Sequence, residues 1–251
     1  KAIMQKKYPF AMYVHGSEVQ KYSSRPFDMD NSLIGILKRL KKDILLVYFM
    51  KKFVNGTKLN KLSHLVFPSF WMKDEMENNL NVIIDKFDVI ANGIETDMFK
   101  FSNSYDKRYR ILALRPLSSM KYAVDIAIDI MRFLPREYSL DIFGKGKYEK
   151  NFKELIKKYS LQERINIHNT FINKVDMPDF FSKYGISMST TRMDAQGVSM
   201  CEAMSSGLLT VSNNNTAIPE FINDMKTGIL GETPKELADK ILEVTSDQNL
   251  F

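Results

Sequence analysis

Two carboxylates, Asp194 and Glu202, lie eight positions apart on either side of Gly197, in the segment that most restricts how this chain can fold. The apolar stretches before and after it, residues 185–190 and 208–212, are typical of buried strands. A strand, a glycine-containing loop, a helix and a second strand form a βαβ unit, which binds ligands beyond the carboxyl end of its first strand. Glycine admits a ligand close to the backbone, and a helix N-terminus attracts anions. Because carboxylates accept hydrogen bonds from hydroxyl groups, the segment predicts a site for a nucleotide sugar.

From residue 109 onward, predicted strands and helices alternate, which indicates a parallel sheet with crossover helices. The predicted strands are residues 109–114, 138–143, 164–167, 186–189 and 208–211. The predicted helices are residues 123–133, 148–159, 178–183, 198–206 and 234–244. Upstream, only about three strands are predicted, at residues 10–14, 65–67 and 87–90. The polar segment 102–108 is predicted to be a linker, which gives an N-terminal domain of residues 1–106 and a C-terminal domain of residues 107–251.

The chain carries a net charge of +6, and that charge is concentrated in residues 21–61. Ten lysines and arginines oppose three aspartates there, a local excess of seven positive charges. Residues 33–54 are predicted to form a helix with an apolar face. Residues 44–50 are apolar on all sides, so they are expected to be buried or at an interface. The basic segment favours an anionic partner, such as a membrane surface.

Cysteine and histidine are too few to predict a disulfide or a metal site. The single cysteine, Cys201, cannot form an internal disulfide, which favours a reducing cytoplasm. We expect Cys201 to be a small core residue rather than a nucleophile, because no base is in view. The three histidines are scattered, so no metal-ligand cluster is predicted. The sequence has no recognisable signal peptide and no apolar run of about 18–20 residues, so a membrane span is not expected.

The segment that begins at Asp194 resembles the signature of the retaining glycosyltransferases of family 4, which have the GT-B fold. The matching residues are Gly197, Glu202, Ala203, Met204 and Gly207. The chain departs from the family at two places: Asp194 stands where glutamate is usual, and Thr216-Ala217 stands where Gly-Gly is usual. The resemblance implies an α/β fold of two Rossmann-like domains with parallel sheets, the N-terminal one incomplete. It also implies a chain truncated at both ends, because family members begin further upstream and continue past Phe251.

The resemblance assigns catalytic roles to two residues. Asp194 would face the hydroxyl groups of the donor sugar, and His15, which precedes Gly16 at a strand end, would approach the reacting centre. Glu202 would bind the ribose of the donor.

The resemblance also implies a set of donor-binding residues for the diphosphate. Arg115 and Lys121, six positions apart after a predicted strand, would grip the two phosphates. Backbone N–H groups at Gly197, Val198 and Ser199 would contact the same phosphates at the helix N-terminus. The remaining donor-binding residue, in a Gly-x-Gly turn near the nucleotide, is Gly144.

The expected function is transfer of a hexose from a nucleotide diphosphate sugar to a glycan or lipid-linked acceptor, with retention of configuration, in polysaccharide biosynthesis. No metal and no cofactor is expected, because Arg115, Lys121 and the helix N-terminus would take the role of a cation. The expected location is cytoplasmic and peripheral at the inner face of the membrane, through residues 21–61.

Three other functions remain open. A nucleotide-sugar epimerase or hydrolase could use the same fold, and it would need no acceptor. A non-catalytic partner subunit is consistent with Asp194 and with truncation. A nucleic-acid-binding protein is disfavoured, because the basic segment lacks interleaved aromatic residues suited to stacking on bases.

Overall fold

The computed structural model describes residues 9–16, 18–25, 27, 32–59 and 63–251, with the backbone alone described for residues 57–59 and 63. The chain divides into two compact units, Lys1–Asn92 and Gly93–Phe251. Within the described residues, no helix is both long enough and apolar enough to cross a bilayer.

The first unit contains a three-stranded parallel sheet in the order β1-β2-β3. Among its described residues, the α-helices and strands in chain order are β1 (Phe10–Tyr13), α1 (Leu33–Leu59), β2 (Ser63–Phe67), α2 (Phe70–Leu80) and β3 (Phe87–Val89). The central strand supplies the core, with Leu65, Val66 and Phe67 buried. The three strands expected from the sequence are thus confirmed, each within two residues of its predicted bounds.

Helix α2 shows how local sequence sets an element of this unit. Ser69 caps its N-terminus, since the Ser69 hydroxyl accepts a hydrogen bond from the backbone N–H of Met72 at 3.2 Å. Met72, Met76 and Leu80 recur every four residues and are buried on one face. The helix ends at Asn81, which adopts the left-handed conformation at φ 48°.

Helix α1 differs from its expected burial. Residues 44–50 were expected to be buried or at an interface, and the first alternative does not hold for Ile44, Leu45, Tyr48 and Phe49, whose side chains are exposed. The inward face of α1 is supplied instead by residues at a different angle around the helix, among which Gly35, Asp43 and Val54 are buried. In the basic segment, Lys61, Asp28 and Asp30 lie outside the described residues, as does the side chain of Lys58.

The second unit contains a six-stranded parallel sheet in the order β6-β5-β4-β7-β8-β9. Its strands are β4 (Arg110–Leu114), β5 (Ser139–Phe143), β6 (Ile165–His168), β7 (Ile186–Met188), β8 (Leu209–Asn213) and β9 (Ile229–Gly231). Its helices are α3 (Val124–Ile130), α4 (Glu149–Lys158), α5 (Met177–Phe181), α6 (Val198–Ser205) and α7 (Pro234–Ser246). The five predicted strands and five predicted helices are confirmed, and β9 is an element that was not predicted.

Both faces of this sheet are buried, as expected for parallel strands with crossover helices. Side chains of β4 alternate between the two faces, so Ile111 and Ala113 enter one apolar cluster and Leu112 enters another. Helices α3, α4 and α7 contribute to the first cluster, and α5 and α6 contribute to the second. The result is a three-layer Rossmann-like unit.

Residues 93–106 belong to the second unit and pack against its other elements. Phe99 is buried with its ring centre 5.9 Å from that of Phe181. The Ser102 backbone N–H donates to the Ser206 carbonyl at 3.2 Å, and the Ser104 hydroxyl donates to the Gly207 carbonyl at 2.7 Å. The polar residues expected to form a linker at 102–108 therefore bond to the second unit, and the structural division falls at 92/93 instead of 106/107.

We expect Gly185→Ala to lower the free energy of unfolding by about 2–3 kcal/mol, because it overpacks a rigid contact. A Cβ atom at Gly185 would lie 2.4 Å from the Lys107 carbonyl oxygen and 2.6 Å from the Arg108 Cα, both backbone atoms. Gly93→Ala is the matched control, since a Cβ there meets nothing within 4 Å. Urea unfolding measures both variants, and equal stability of the two would contradict the packing argument.

Candidate functional site

The order of strands in the second unit reverses between β4 and β7. Strands β5 and β6 are added to the sheet on one side of β4, and β7, β8 and β9 are added on its other side. Ligands of open α/β sheets bind in the crevice at such a reversal, beyond the carboxyl ends of the strands. Arg115 directly follows β4, and Asp194 lies in the loop that follows β7. The structure therefore brings these two predicted residues to the same crevice.

Arg115 is a buried cation at this crevice, with only 5% of its side chain exposed. Its Nη2 donates to the Ser189 carbonyl at 2.6 Å, and its Nη1 lies 4.0 Å from Asp194 Oδ2. Its Nε has no hydrogen-bond partner among the described residues. Burial lowers the pKa of the Arg115 guanidinium, and the negative charge of Asp194 opposes that shift. A buried guanidinium that keeps an unpartnered N–H is suited to an anionic ligand.

Asp194 organises the loop before α6. Its Oδ1 accepts hydrogen bonds from the backbone N–H groups of Gln196 at 3.2 Å and Gly197 at 2.9 Å. Its own N–H donates to the Thr216 hydroxyl at 3.3 Å. Thr216 has φ 51°, a left-handed conformation that favours glycine. The carboxylate therefore uses one oxygen to hold the loop and directs the other toward Arg115.

Helix α6 begins immediately after this loop. Gly197 has φ 77° and ψ 63°, so it turns the chain into the helix in a conformation that disfavours other residues. The first N–H groups of an α-helix have no partner within the helix, and here they belong to Val198 and Ser199. Ser199 also lines a cavity together with Arg115. Backbone donors and a guanidinium thus converge on one place, which is the arrangement that binds phosphate.

Glu202 lies one turn further along α6, in a cluster of charges with Lys174 and Glu95. Lys174 and Glu95 form an ion pair. Burial raises the pKa of the Glu202 carboxyl, an effect that Lys174 opposes and Glu95 reinforces. Glu202 is therefore a partly buried acceptor whose charge is not fully neutralised by its surroundings.

The turn that carries Lys121 is fastened to the loop that carries Asp194 by a residue that sequence analysis missed, Arg192. Arg192 pairs with Asp125 through two hydrogen bonds of 2.8 and 2.6 Å and donates a third to the Met120 carbonyl at 2.7 Å. The Arg192 N–H also donates to the Lys121 carbonyl at 2.8 Å. Lys121 makes no ion pair with the part of the chain that the structure describes. The position of Arg192, two residues before Asp194, could have marked it as a candidate in the sequence. Its pairing with Asp125 is visible only in the folded structure.

Gly144 serves close packing between loops. A Cβ atom at Gly144 would lie 2.0 Å from the Arg115 carbonyl oxygen. The Arg115 N–H donates to the Phe143 carbonyl at 3.0 Å, and the Leu117 N–H donates to the Lys145 carbonyl at 2.9 Å. Gly144 thus allows the loop after β5 to pack against the backbone of Arg115. A direct contact between Gly144 and a donor remains a prediction.

A cavity of about 170 Å³ opens beside Arg115. Its apolar lining consists of Leu114, Pro116, Phe143, Phe171, Ile172 and Met177. The polar lining is limited to Arg115 and Ser199 at one side. An apolar slot next to a phosphate-binding arrangement can hold a flat ring, such as a nucleobase.

His15 lies in the first unit, two residues after the end of β1. Its ring stacks on that of Tyr13 with centres 4.6 Å apart, and its backbone N–H donates to the Glu18 carboxylate. These contacts hold the histidine at the end of its strand, and its catalytic role remains a prediction.

Cys201 is partly buried beside the apolar cluster that contains Met200 and Ile218. Burial raises the pKa of the Cys201 thiol, which disfavours the reactive thiolate. Among the described residues, no three His, Cys, Asp or Glu side chains are grouped so that they could hold a metal ion.

Comparisons of this chain with known proteins indicate the family to which it belongs. Residues 94–250 match the family model described as "Glycosyl transferases group 1". The amylovoran biosynthesis glycosyltransferase AmsK of Erwinia amylovora is 26% identical over 156 aligned residues, which cover 58% of this chain and 38% of AmsK.

Solved structures share the fold. Anabaena Alr3699/HepE in complex with UDP superposes with a TM-score of 0.75 at 17% identity, over 99% of this chain and 66% of HepE. A mutant of S. aureus TarM in complex with Fondaparinux, alpha-GlcNAc-glycerol and UDP superposes with a TM-score of 0.65 at 18% identity, over 78% of this chain and 40% of TarM.

These likenesses confirm the expected α/β fold of GT-B type with parallel sheets. The chain spans about two fifths of the length of AmsK and about two thirds of the length of HepE. Because the family model matches more than half of the chain, the protein belongs to the group 1 glycosyl transferases.

Proposed function

We propose that this protein is a family 4 retaining glycosyltransferase that moves a hexose from a nucleotide diphosphate sugar to a glycan or lipid-linked acceptor. One observation carries the proposal: the buried Arg115, with its unpartnered Nε, lies at the strand reversal beside Asp194 and the N-terminus of α6. Arg115 is suited to a ligand that brings its own negative charge and hydroxyl groups, and a nucleotide diphosphate sugar has both.

Different residues of the site would bind different parts of the donor. The nucleobase would occupy the apolar cavity beside Arg115, and Glu202 would accept hydrogen bonds from the ribose hydroxyls. Arg115, Lys121 and the first N–H groups of α6 would bind the diphosphate. Asp194 Oδ2, which is not used by the loop, would accept from a hydroxyl of the donor sugar.

Transfer with retention would follow from front-side attack. The bond between the anomeric carbon and the phosphate oxygen breaks, the acceptor oxygen bonds to the same face of the sugar, and the acceptor proton passes to the leaving phosphate. Arg115 and Lys121 would stabilise the charge that develops on the leaving diphosphate, so we propose that no metal or other cofactor is needed.

The comparisons support the donor and acceptor classes. HepE and TarM have each been crystallised with UDP, TarM together with alpha-GlcNAc-glycerol, and AmsK is named for amylovoran biosynthesis. We propose UDP as the first nucleotide to test and a glycan intermediate as the acceptor. A cytoplasmic location at the inner face of the membrane would suit a lipid-linked acceptor and the basic segment 21–61.

We expect Arg115→Ala to weaken UDP binding about ten- to a hundredfold, because a charge-assisted contact is worth roughly 1.5–3 kcal/mol. Arg115→Lys should recover part of the loss, since lysine restores the charge without the two-pronged geometry. Uridine, which lacks phosphates, should bind all variants alike. Calorimetric titration measures this, with Arg132→Ala as the control because Arg132 pairs with Asp129 at the end of α3. If the Arg115→Ala variant binds UDP with parental affinity, Arg115 does not bind the diphosphate and the proposed donor site is wrong.

We expect Asp194→Asn to lower the turnover number of sugar transfer about ten- to a hundredfold without weakening UDP binding. Asparagine can still accept from the Gln196 and Gly197 N–H groups through its one oxygen, but it cannot offer a charged acceptor to the sugar. Asp194→Glu, which restores the charge one methylene further out, should regain part of the turnover. Initial rates with a nucleotide sugar donor measure this, and an Asn variant with parental turnover would show that Asp194 only holds the loop.

We expect Glu202→Gln to be more stable than the parent at neutral pH and to bind UDP less tightly. Burial raises the pKa of Glu202 in the folded state, so ionising this carboxyl costs stability as pH rises through the raised pKa. The gain from Gln should therefore vanish below the ordinary glutamate pKa of about 4.3, where the unfolded chain is also protonated. Urea unfolding at several pH values measures this, with the exposed Glu154→Gln on α4 as the control. A gain that does not depend on pH would assign the effect to packing.

A further inference from the structure

A polar network of Asp141, His168 and Tyr184 lies beside the apolar cavity at Arg115, and the proposed donor contacts use none of its three members. Asp141 on β5 is its centre. Asp141 Oδ1 lies 2.7 Å from Nε2 of His168 at the end of β6, and Asp141 Oδ2 accepts from the Tyr184 hydroxyl at 3.2 Å. Because a carboxylate only accepts, His168 donates through Nε2. The bond therefore fixes the direction in which the imidazole ring faces.

The Tyr184 end of the network is buried. Only 3% of Tyr184 is exposed, and burial raises the pKa of its hydroxyl, an effect that the charge of Asp141 reinforces. The hydroxyl therefore stays protonated at neutral pH and donates to Asp141. The side chain of Asp141 is itself only 16% exposed. A largely buried carboxylate that is bonded on both sides restrains the elements that its partners belong to.

These elements are the ones that supply most of the cavity lining. Strand β5 contributes Phe143, the loop after β6 contributes Ile172, and α5 contributes Met177. The network joins the same three elements, since His168 ends β6 and Tyr184 follows α5 by three residues. The shape of the cavity therefore depends on hydrogen bonds that lie outside it.

The direct link between the network and the cavity is the stack of His168 on Phe143. The centres of the two rings are 4.2 Å apart and their planes differ by 8°. Phe180 contacts the same phenyl ring edge-on, with centres 4.7 Å apart and planes at 85°. Aromatic pairs have preferred geometries, so a ring with one stacked and one perpendicular neighbour is held in one orientation. Phe143 thus gives the cavity a wall of fixed orientation.

We propose that His168 and Asp141 are positioning residues for the nucleobase of the donor, because they hold the Phe143 ring in the plane against which the base packs. The inference rests on the proposed function, since it takes the cavity to be the nucleobase site. His168 would act through Phe143 without touching the donor. A wall that is already ordered favours binding, because no side-chain freedom is lost when the ligand arrives. The effect should therefore appear in the affinity for the base and not in the affinity for the phosphates.

Calorimetric titration of uridine and of UDP into His168→Leu separates this role from that of Arg115. We expect the variant to bind both ligands roughly two- to tenfold less tightly and by the same factor, the size of effect that one aromatic pair supplies. Arg115→Ala should weaken binding of UDP alone. His168→Phe should recover part of the affinity, since a phenyl ring can stack on Phe143 without the bond to Asp141.

The part played by Asp141 is tested with Asp141→Asn, alone and combined with His168→Leu. Asparagine has one acceptor oxygen for two donors, so Asp141→Asn should weaken uridine binding in the parent. The same change should have no effect in the His168→Leu background, because Asp141 would act only through the imidazole ring. Additive losses in the double variant would show that Asp141 does not act through His168.

His64→Leu is the matched control. His64 lies 2.8 Å from Asp88 and its side chain is 39% exposed, against 2.7 Å and 41% for His168 and Asp141, but His64 belongs to the first unit. Only His168→Leu should change the affinity for uridine. Melting temperatures show that each variant is folded at the temperature of the titration, which separates a loss of base binding from a loss of structure.

The outcomes distinguish this inference from the proposed function. If His168→Leu binds uridine with parental affinity while the parent binds UDP, the inference is wrong and the donor site stands. A loss for UDP without a loss for uridine would also overturn it, and so would a parent that binds UDP but not uridine, since the base would then contribute little. A parent that binds neither UDP nor GDP would reject the proposed donor site, and the positioning role with it.

Discussion

The pairing of β4 with β7 is the constraint on which the rest of the second unit depends. Only two residue pairs define it, Ile111 with Ile186 and Leu112 with Ser187, yet it joins two halves of a sheet that grow in opposite directions. Loops that leave the carboxyl ends of these strands must diverge, because their crossover helices lie on different faces of the sheet. The crevice between them exists for that reason. Every residue assigned here to the diphosphate belongs to one of these two loops or to the helix that follows.

Much of this arrangement could be predicted from sequence, because it depends on local signals. The alternation of apolar runs and amphipathic helices located five strands of the second unit, and Gly197 marked the start of α6. Strand β9 was missed because it has only three residues and no longer apolar stretch around it, whereas the equally short β7 lies within the apolar stretch 185–190. The division at 92/93 was also missed, since polar residues such as Ser104 satisfy buried carbonyl groups that no local pattern reveals.

The candidate site also has features that no local sequence pattern reveals. The family resemblance selected Arg115 and Asp194 as candidates, but it did not show that the guanidinium is buried or that one carboxylate oxygen is already used by the loop. Those properties depend on neighbours that are distant in sequence, such as Ser189, which accepts from Arg115. Gly144 is a different case, since a glycine expected near a ligand is also required by the neighbouring backbone of Arg115. For α1, hydrophobic composition indicated an interface or a core, and only the angle at which the helix packs decides between them.

The Arg192–Asp125 pair has a consequence for the entropy of ligand binding. It ties the turn that carries Lys121 to the loop that carries Asp194 through side-chain and backbone hydrogen bonds, while Thr191 and Asn213 secure that loop to the end of β8. Flexible loops lose conformational freedom when they close on a ligand, and that loss subtracts from affinity. Here the two loops are ordered together when the chain folds. The freedom is lost once, during folding, so the proposed diphosphate ligand would meet a preorganised surface, and its binding would not have to restrain two independent segments.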